Sequence, residues 1–139
     1  PFLERMVQLA QHQHPSPNVR ITLERVDEDL MAFADESMMT QVVINLLKNA
    51  VQAIGGTKEG EIRIRAYVDS QDIVRIEVAN NGPKIAPEVA DQMFVPFFTT
   101  KEEGSGIGLS LSKQMMRLQG GNVSLLPYRD EWTTFVVTI

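Results

Sequence analysis

No cysteine occurs among the 139 residues. That removes disulfide frameworks, thiolate zinc sites and cysteine nucleophiles together, and suits a reducing compartment, with the cytoplasm as the default expectation. Basic residues are also in deficit: 13 Lys and Arg against 18 Asp and Glu leave a formal net charge of −5. No broad positive field is available to attract nucleic-acid phosphates, so no nucleic-acid partner is expected. No apolar run reaches the roughly 18 residues of a membrane span. The opening Pro1-Phe2-Leu3-Glu4-Arg5 lacks the basic-then-apolar order of a signal peptide, and no initiator Met is present. The chain reads as a piece of something longer. What remains, 43% hydrophobic and 22% charged residues, is the composition of a folding globular chain rather than a disordered one. Against about 150 residues per domain, the length predicts a single domain over residues 1–139 with one real core.

Apolar residues Phe2, Leu3, Met6, Val7, Leu9 and Ala10 recur at helical spacing up to Pro15-Ser16-Pro17-Asn18. Val19, Ile21 and Leu23 then alternate with polar residues as a half-buried strand does. Asp27-Glu28-Asp29 predicts a solvated loop, and Leu30 to Ala34 a short strand. From Ser37, the apolar positions Met39, Val42, Val43, Leu46, Ala50, Ala53 and Ile54 mark one continuous helical face, ended by Gly55-Gly56. Two alternating runs, Ile62 to Val68 and Val74 to Val78, are joined by a short polar link and predict an antiparallel hairpin that ends at Asn80-Asn81-Gly82-Pro83. Residues 87–95 predict a short helix and residues 96–105 a mobile loop. A last helix, from about Gly106 to Gln119, is predicted to bury Ile107, Leu111, Met115 and Leu118, and to stop at Gly120-Gly121. Val123 and Leu125, then Phe135, Val137 and Ile139, supply two more strands. This order predicts an α+β, two-layer α/β sandwich, with a mixed, mostly antiparallel sheet and its helices on one face.

Three segments carry chemistry. Asn45 and Asn49 lie four residues apart on the helix from Ser37, so both project from one side with Cβ atoms about 6 Å apart. Carboxamide oxygens there can bind a hard cation such as Mg²⁺ or satisfy neighbouring backbone. Gly104-Ser105-Gly106-Ile107-Gly108-Leu109 opens the last helix. Backbone N–H groups freed by glycine, with the helix dipole behind them, suit a phosphate, and a flexible loop end is the alternative. Neither a dinucleotide fingerprint nor a P-loop fits the spacing. Thr99, Thr100 and Lys101 add hydroxyls and a cation just before the glycines. Asn80-Asn81-Gly82 closes a strand with two carboxamides, either an ordinary turn or a place to read the edge of a base.

In order and content these segments resemble the ATP-binding catalytic domain of bacterial sensor histidine kinases, a relative of gyrase, Hsp90 and MutL. QVVINLLKNAVQAI (residues 41–54) looks like the N box, and ANNGPKI (79–85) like the first glycine box. FVPFFTTK (94–101) looks like the Phe-rich box, and GSGIGLSLSKQMMRLQGG (104–121) like the second glycine box. The resemblance implies a Bergerat-type ATP-binding fold. It implies that Asn49 coordinates the Mg²⁺ bridging the ATP phosphates, that Asn45 supports the phosphate side, and that Asn80 lies against the adenine amine with Gly82 letting the backbone approach. Lys101, Gly104, Gly106 and Gly108 would border the triphosphate, with residues 96–105 as a lid. Ile85, Thr99, Thr100, Ser105, Ile107 and Leu109 would complete the nucleotide-binding set, and Asn45, Asn49 and Lys101 would be the catalytic residues.

Hydrolysing relatives carry a general-base Glu one turn before the metal-binding Asn. Here that residue is Asn45, which cannot act as a base, so phosphoryl transfer is favoured over hydrolysis. The acceptor would be a His on a helical dimerisation domain of the parent kinase, with a response regulator downstream. His12 and His14 precede Pro15 at a helix end and do not match that acceptor, nor does a third ligand support a metal role for them. The parent would be a homodimer, and this piece a monomer. Two departures from the pattern stand out: Asn80 where Asp is usual, which removes a charge-assisted hydrogen bond of about 1 kcal/mol, and Lys84 where a second Gly is usual. They leave room for a degenerate nucleotide-binding or partner-docking module; a gyrase- or MutL-like ATPase is the third reading. Asn122-Val123-Ser124 fits a glycosylation triplet by chance.

Overall fold

The structure, a computed structural model, describes residues 19–26, 36–54, 60–71, 73–82, 108–127 and 132–139, together with Arg5, Gln8, Glu88 and Phe94. Arg5, Gln8 and Glu88 have helical backbone. The segments predicted as an acidic loop, a short strand at Leu30 to Ala34 and a lid lie outside the described residues, as do His12 and His14. The elements are β1 (Val19–Val26), α1 (Glu36–Ile54), β2 (Gly60–Val68), β3 (Val74–Asn80), α2 (Gly108–Leu118), β4 (Asn122–Leu125) and β5 (Thr133–Thr138).

The strands form one five-stranded sheet in the order β1-β2-β3-β5-β4. β1 pairs with β2 in parallel, from Val19 opposite Gly60, with a register shift between Leu23 and Arg25. Parallel neighbours need a crossover, and α1 is that crossover. The remaining pairs are antiparallel: β2 with β3, β3 with β5, and β4 with β5.

Strand alternation fixes the two faces. Ile62, Ile64 and Ala66 of β2, with Ile76 and Val78 of β3, point inward beside Phe135 and Val137 of β5. Met39, Val42, Val43, Leu46, Leu47, Ala50 and Ile54 of α1 complete that core. Truncating a side chain such as Leu46 to Ala would cost about 2–5 kcal/mol. The opposite face is polar. Arg63 lies 4.1 Å from the centre of the Trp132 ring, Glu61 takes Arg63 at 3.3 Å, and the Tyr67 hydroxyl donates to Glu77. Burial, reinforced by the bond to Glu77, holds the Tyr67 phenol above its ordinary pKa.

The face that α2 buries corrects the expectation from apolar spacing. Leu111 and Leu118 are exposed, at 38% and 70% of their surface, and Met115 is half-buried. Ser112 and Met116 are fully buried instead, with Leu109 packed against the core. The helix is turned because its inward side is set by what it meets: Asn45 of α1 donates its Nδ2 to Ser112 Oγ, and Lys113 donates to the Val123 carbonyl of β4 at 3.3 Å. Ile107 lies outside the described residues.

The predicted stop of α2 holds for a geometric reason, whereas Gly55-Gly56 lies outside the described residues. Gly120 takes φ +82°. The Gly121 N–H bonds the Met116 carbonyl at 2.8 Å and the Gly120 N–H bonds that of Arg117 at 3.1 Å, the paired bonds of a left-handed helix cap. A Cβ on Gly121 would sit 2.2 Å from the Thr138 carbonyl oxygen, so the chain enters β4 with its backbone against β5.

The β2–β3 hairpin is tied by one carboxylate. Asp69 Oδ1 accepts from the backbone of Gln71 at 2.8 Å and of Ile73 at 3.1 Å, and Oδ2 accepts from Arg75 Nε at 2.6 Å. The Arg75 bond first, then the two backbone donors, hold the Asp69 carboxyl below the usual carboxylate range. Because the folded pKa is depressed, its contribution is complete above about pH 4 and is lost as pH falls further, through the folded pKa. Asp69→Asn should therefore lower the urea midpoint at neutral pH and flatten its decline below about pH 4; an acid limb as steep as in the unaltered protein would contradict this.

Candidate nucleotide site

The alternation that builds the core carries a polar residue into it. Val74, Ile76, Val78 and Asn80 form the inward series of β3, and Asn80 is 1% exposed. A buried carboxamide needs partners. Asn80 Oδ1 accepts from the Gly82 N–H at 2.9 Å, which folds the chain back directly after the strand, with Gly82 itself buried. An amide oxygen has a second lone pair, so this bond leaves Asn80 able to accept another.

The two carboxamides of this turn are not equivalent. Asn81 extends the sheet: its N–H bonds the Glu61 carbonyl at 3.2 Å, and its Oδ1 accepts from the Glu61 N–H at 2.9 Å. Asn81 holds the end of the β2–β3 pairing, and Asn80 alone faces the helix side.

Across the sheet from Asn80 stands Thr133, its register partner on β5. Thr133 is buried, and its Oγ1 has no hydrogen-bond partner among the described residues. Leaving a buried hydroxyl unpaired costs about 1–3 kcal/mol, and such orphans call for an explanation. A polar ligand edge arriving beside Asn80 supplies one. The sequence reading did not single out Thr133, because the pairing that puts it next to Asn80 spans more than 50 residues; the only local signal was a polar residue in the inward phase of a buried strand.

Asn45 and Asn49 flank the buried face of α1, both half-buried. Asn45 Oδ1 accepts from Gln41 Nε2 at 2.9 Å, and its Nδ2 donates to Ser112 Oγ at 3.2 Å. Asn45 thus joins α1 to the second turn of α2. Ser112 was the other residue not foreseen. Gly108 is the first residue of α2, and no acidic side chain stands in the first turn of that helix to oppose an anion. Leu109 packs on the core.

Phe94, at the start of the Phe-rich stretch, meets the Phe135 ring edge to face at 6.2 Å, and the Lys113 ammonium lies 4.6 Å from its centre. The two flanks of segment 95–107, Phe94 and Gly108, are therefore both moored at α2. Ile85, Thr99, Thr100, Lys101, Gly104, Ser105, Gly106 and Ile107 lie outside the described residues. Among the described residues there is no group of three or more His, Cys, Asp or Glu that could hold a metal ion.

A sequence profile of the family described as "Histidine kinase-, DNA gyrase B-, and HSP90-like ATPase" matches residues 34–139. The chain belongs to that family. It is 37% identical over 119 residues to the C4-dicarboxylate transport sensor protein DctB of Rhizobium meliloti, a match covering 86% of this chain and 19% of that protein. It is 38% identical over 104 residues to the sensor histidine kinase ZraS of Escherichia coli, covering 75% of this chain and 22% of ZraS. The chain thus spans about a fifth of the length of these curated relatives. Among solved structures, the catalytic domain of histidine kinase ThkA superposes with a TM-score of 0.84 at 32% identity, over 99% of this chain and 89% of that one. A second structure holds ThkA in complex with the response regulator protein TrrA, at 31% identity and a TM-score of 0.81, covering 99% of this chain and 39% of that chain.

Because the Thr133 hydroxyl has no partner among the described residues, Thr133→Val should leave the stability of the ligand-free protein unchanged or raise it by about 1 kcal/mol in urea denaturation. A loss of that size would mean that the hydroxyl has a structural partner.

Proposed function

We propose that this chain is the catalytic and ATP-binding domain of a sensor histidine kinase. It would take Mg²⁺-ATP and direct its γ-phosphoryl group to a His on a separate helical domain of the same parent kinase, from which a response regulator is phosphorylated. The observation that carries the reading is the buried pair Asn80 and Thr133, an acceptor and an orphan hydroxyl side by side at the end of a β-strand. That pair suits the amine edge of an adenine, and the buried Gly82 leaves no side chain between backbone and base.

When bound, the nucleotide supplies the phosphoryl group, and the cation supplies the neutralisation of phosphate charge on which such transfer mainly depends. The chain's own residues hold and orient. Asn49 offers a carboxamide oxygen, a hard donor of the kind Mg²⁺ takes alongside phosphate and water. Asn80 accepts from the adenine amine with the lone pair that Gly82 does not use. The start of α2 at Gly108 would offer its N–H groups and positive helix end to the phosphates, and the resemblance adds Gly104 and Gly106 to that side. By the resemblance to the family, Lys101, Thr99, Thr100 and Ser105 would serve the phosphate side, and Ile85, Ile107 and Leu109 the rest of the nucleotide. No carboxylate stands one turn before Asn49 to activate water, and Asn45 cannot do so, which favours transfer over hydrolysis.

Residues 1–139 make one domain in this reading, facing the cytoplasm, where ATP and the regulator are found. None of the described helices is long and apolar enough to cross a membrane. ThkA supports the partner assignment, since that kinase is seen with a response regulator.

Calorimetric titration of ATP with and without Mg²⁺ tests the reading. The unaltered chain should bind, and Asn49→Ala should remove most of the Mg²⁺-dependent gain, about ten-fold or more, without loss of thermal stability. No binding at millimolar ATP would contradict the assignment. Steady phosphate release indifferent to an added acceptor domain would identify a hydrolase instead.

A further inference from the structure

Asn45 engages both ends of its carboxamide. Its oxygen takes the Gln41 amide at 2.9 Å and its nitrogen donates to Ser112 Oγ at 3.2 Å. Ser112 is wholly buried, so its hydroxyl depends on protein partners, and Asn45 supplies one across the α1–α2 interface. The bond has a particular place on each helix. On α1 it lies one turn before Asn49; on α2 it lies one turn after Gly108, where the glycine run ends. It therefore joins the turn preceding the cation-binding carboxamide to the turn following the phosphate-binding backbone.

We propose that Asn45 and Ser112 form an interhelical latch that holds the first turn of α2 against the Asn49-bearing side of α1. Asn45 then acts on the nucleotide through Ser112 rather than by touching phosphate or cation. This rests on the nucleotide-site reading above and deepens it: Asn45 becomes a positioning residue, and Ser112 becomes part of the site without contacting the ligand. The physical basis is preorganisation. A triphosphate held between a carboxamide on one helix and N–H groups at the start of another binds well only if the two helices keep their spacing, and a hydrogen bond next to both groups limits the drift that a hydrophobic contact alone permits. Lys113 steadies the same end of α2 through the Val123 carbonyl and the Phe94 ring. The N-terminal half of α2 is thereby held on two sides.

A double-mutant cycle tests the latch, using the unaltered chain, Asn45→Ala, Ser112→Ala and the double variant. Each is measured by urea unfolding without ligand and by ATP titration with and without Mg²⁺. Ser112→Ala is nearly isosteric and should fold. The two single variants should weaken ATP binding by a similar factor, about three- to ten-fold, and the double variant by little more. The ratio of affinities with and without Mg²⁺ should stay as in the unaltered chain, and unfolding should show a coupling of about two- to ten-fold between the two positions. A loss at Asn45→Ala far beyond that at Ser112→Ala, or a changed Mg²⁺ ratio, would overturn the proposal by making Asn45 a direct ligand. Coupling in unfolding with unchanged ATP affinity would overturn it by making the bond merely structural. Failure of the unaltered chain to bind ATP would instead sink the nucleotide reading, and the unfolding coupling would still report whether the latch exists.

Discussion

One helix has to serve the core and the site at once. α1 is the crossover that allows β1 and β2 to run parallel, and its apolar stripe from Met39 to Ile54 contributes more to the buried core than α2 does. Asn45 and Asn49 stand on the flanks of that stripe. Their positions are therefore set by the packing of Val42, Leu46 and Ala50 against the sheet, and a carboxamide on this helix is held as firmly as the core itself. A divalent cation held by Asn49, as proposed, would benefit from that rigidity.

The second polar feature follows the same logic from the sheet side. β3 delivers Asn80 to the interior by the alternation that delivers Val74, Ile76 and Val78, and β5 delivers Thr133 opposite it. Burying these groups opposes folding, while the surrounding aliphatic contacts favour it. Natural structures break the rule of satisfied buried polar groups at functional places, and the Thr133 hydroxyl, without a partner among the described residues, is such a break. Asn81, one residue on, shows the contrast: its carboxamide is engaged with Glu61 of β2 and serves the pairing.

Local pattern made much of this legible before any coordinates. α1 and the β2–β3 hairpin could be read from periods of about 3.6 and 2 because their inward faces are uniformly apolar. The inward side of α2 could not. Leu111 and Leu118 fit the helical spacing as well as Met116 does, yet the buried positions are Ser112 and Met116, since the choice is made by Asn45 on a helix 67 residues away. Thr133 was hidden for the same reason, its meaning arising only when β5 lies beside β3. Four ordered motifs identified the family, while the site's unforeseen members, Ser112 and Thr133, are both defined by partners distant in sequence.

The central claim is that a single cleft takes an adenine at Asn80 and a cation-bound phosphate chain at Asn49. The most direct measurement is of the side-chain amide resonances of these two residues by nuclear magnetic resonance, as ATP is added first without and then with Mg²⁺. The account predicts that Asn80, with the backbone amides of Gly82 and Gly108, moves on ATP alone, and that Asn49 moves further only when Mg²⁺ follows. Unshifted Asn80 and Asn49 signals at saturating ATP and Mg²⁺ would contradict it.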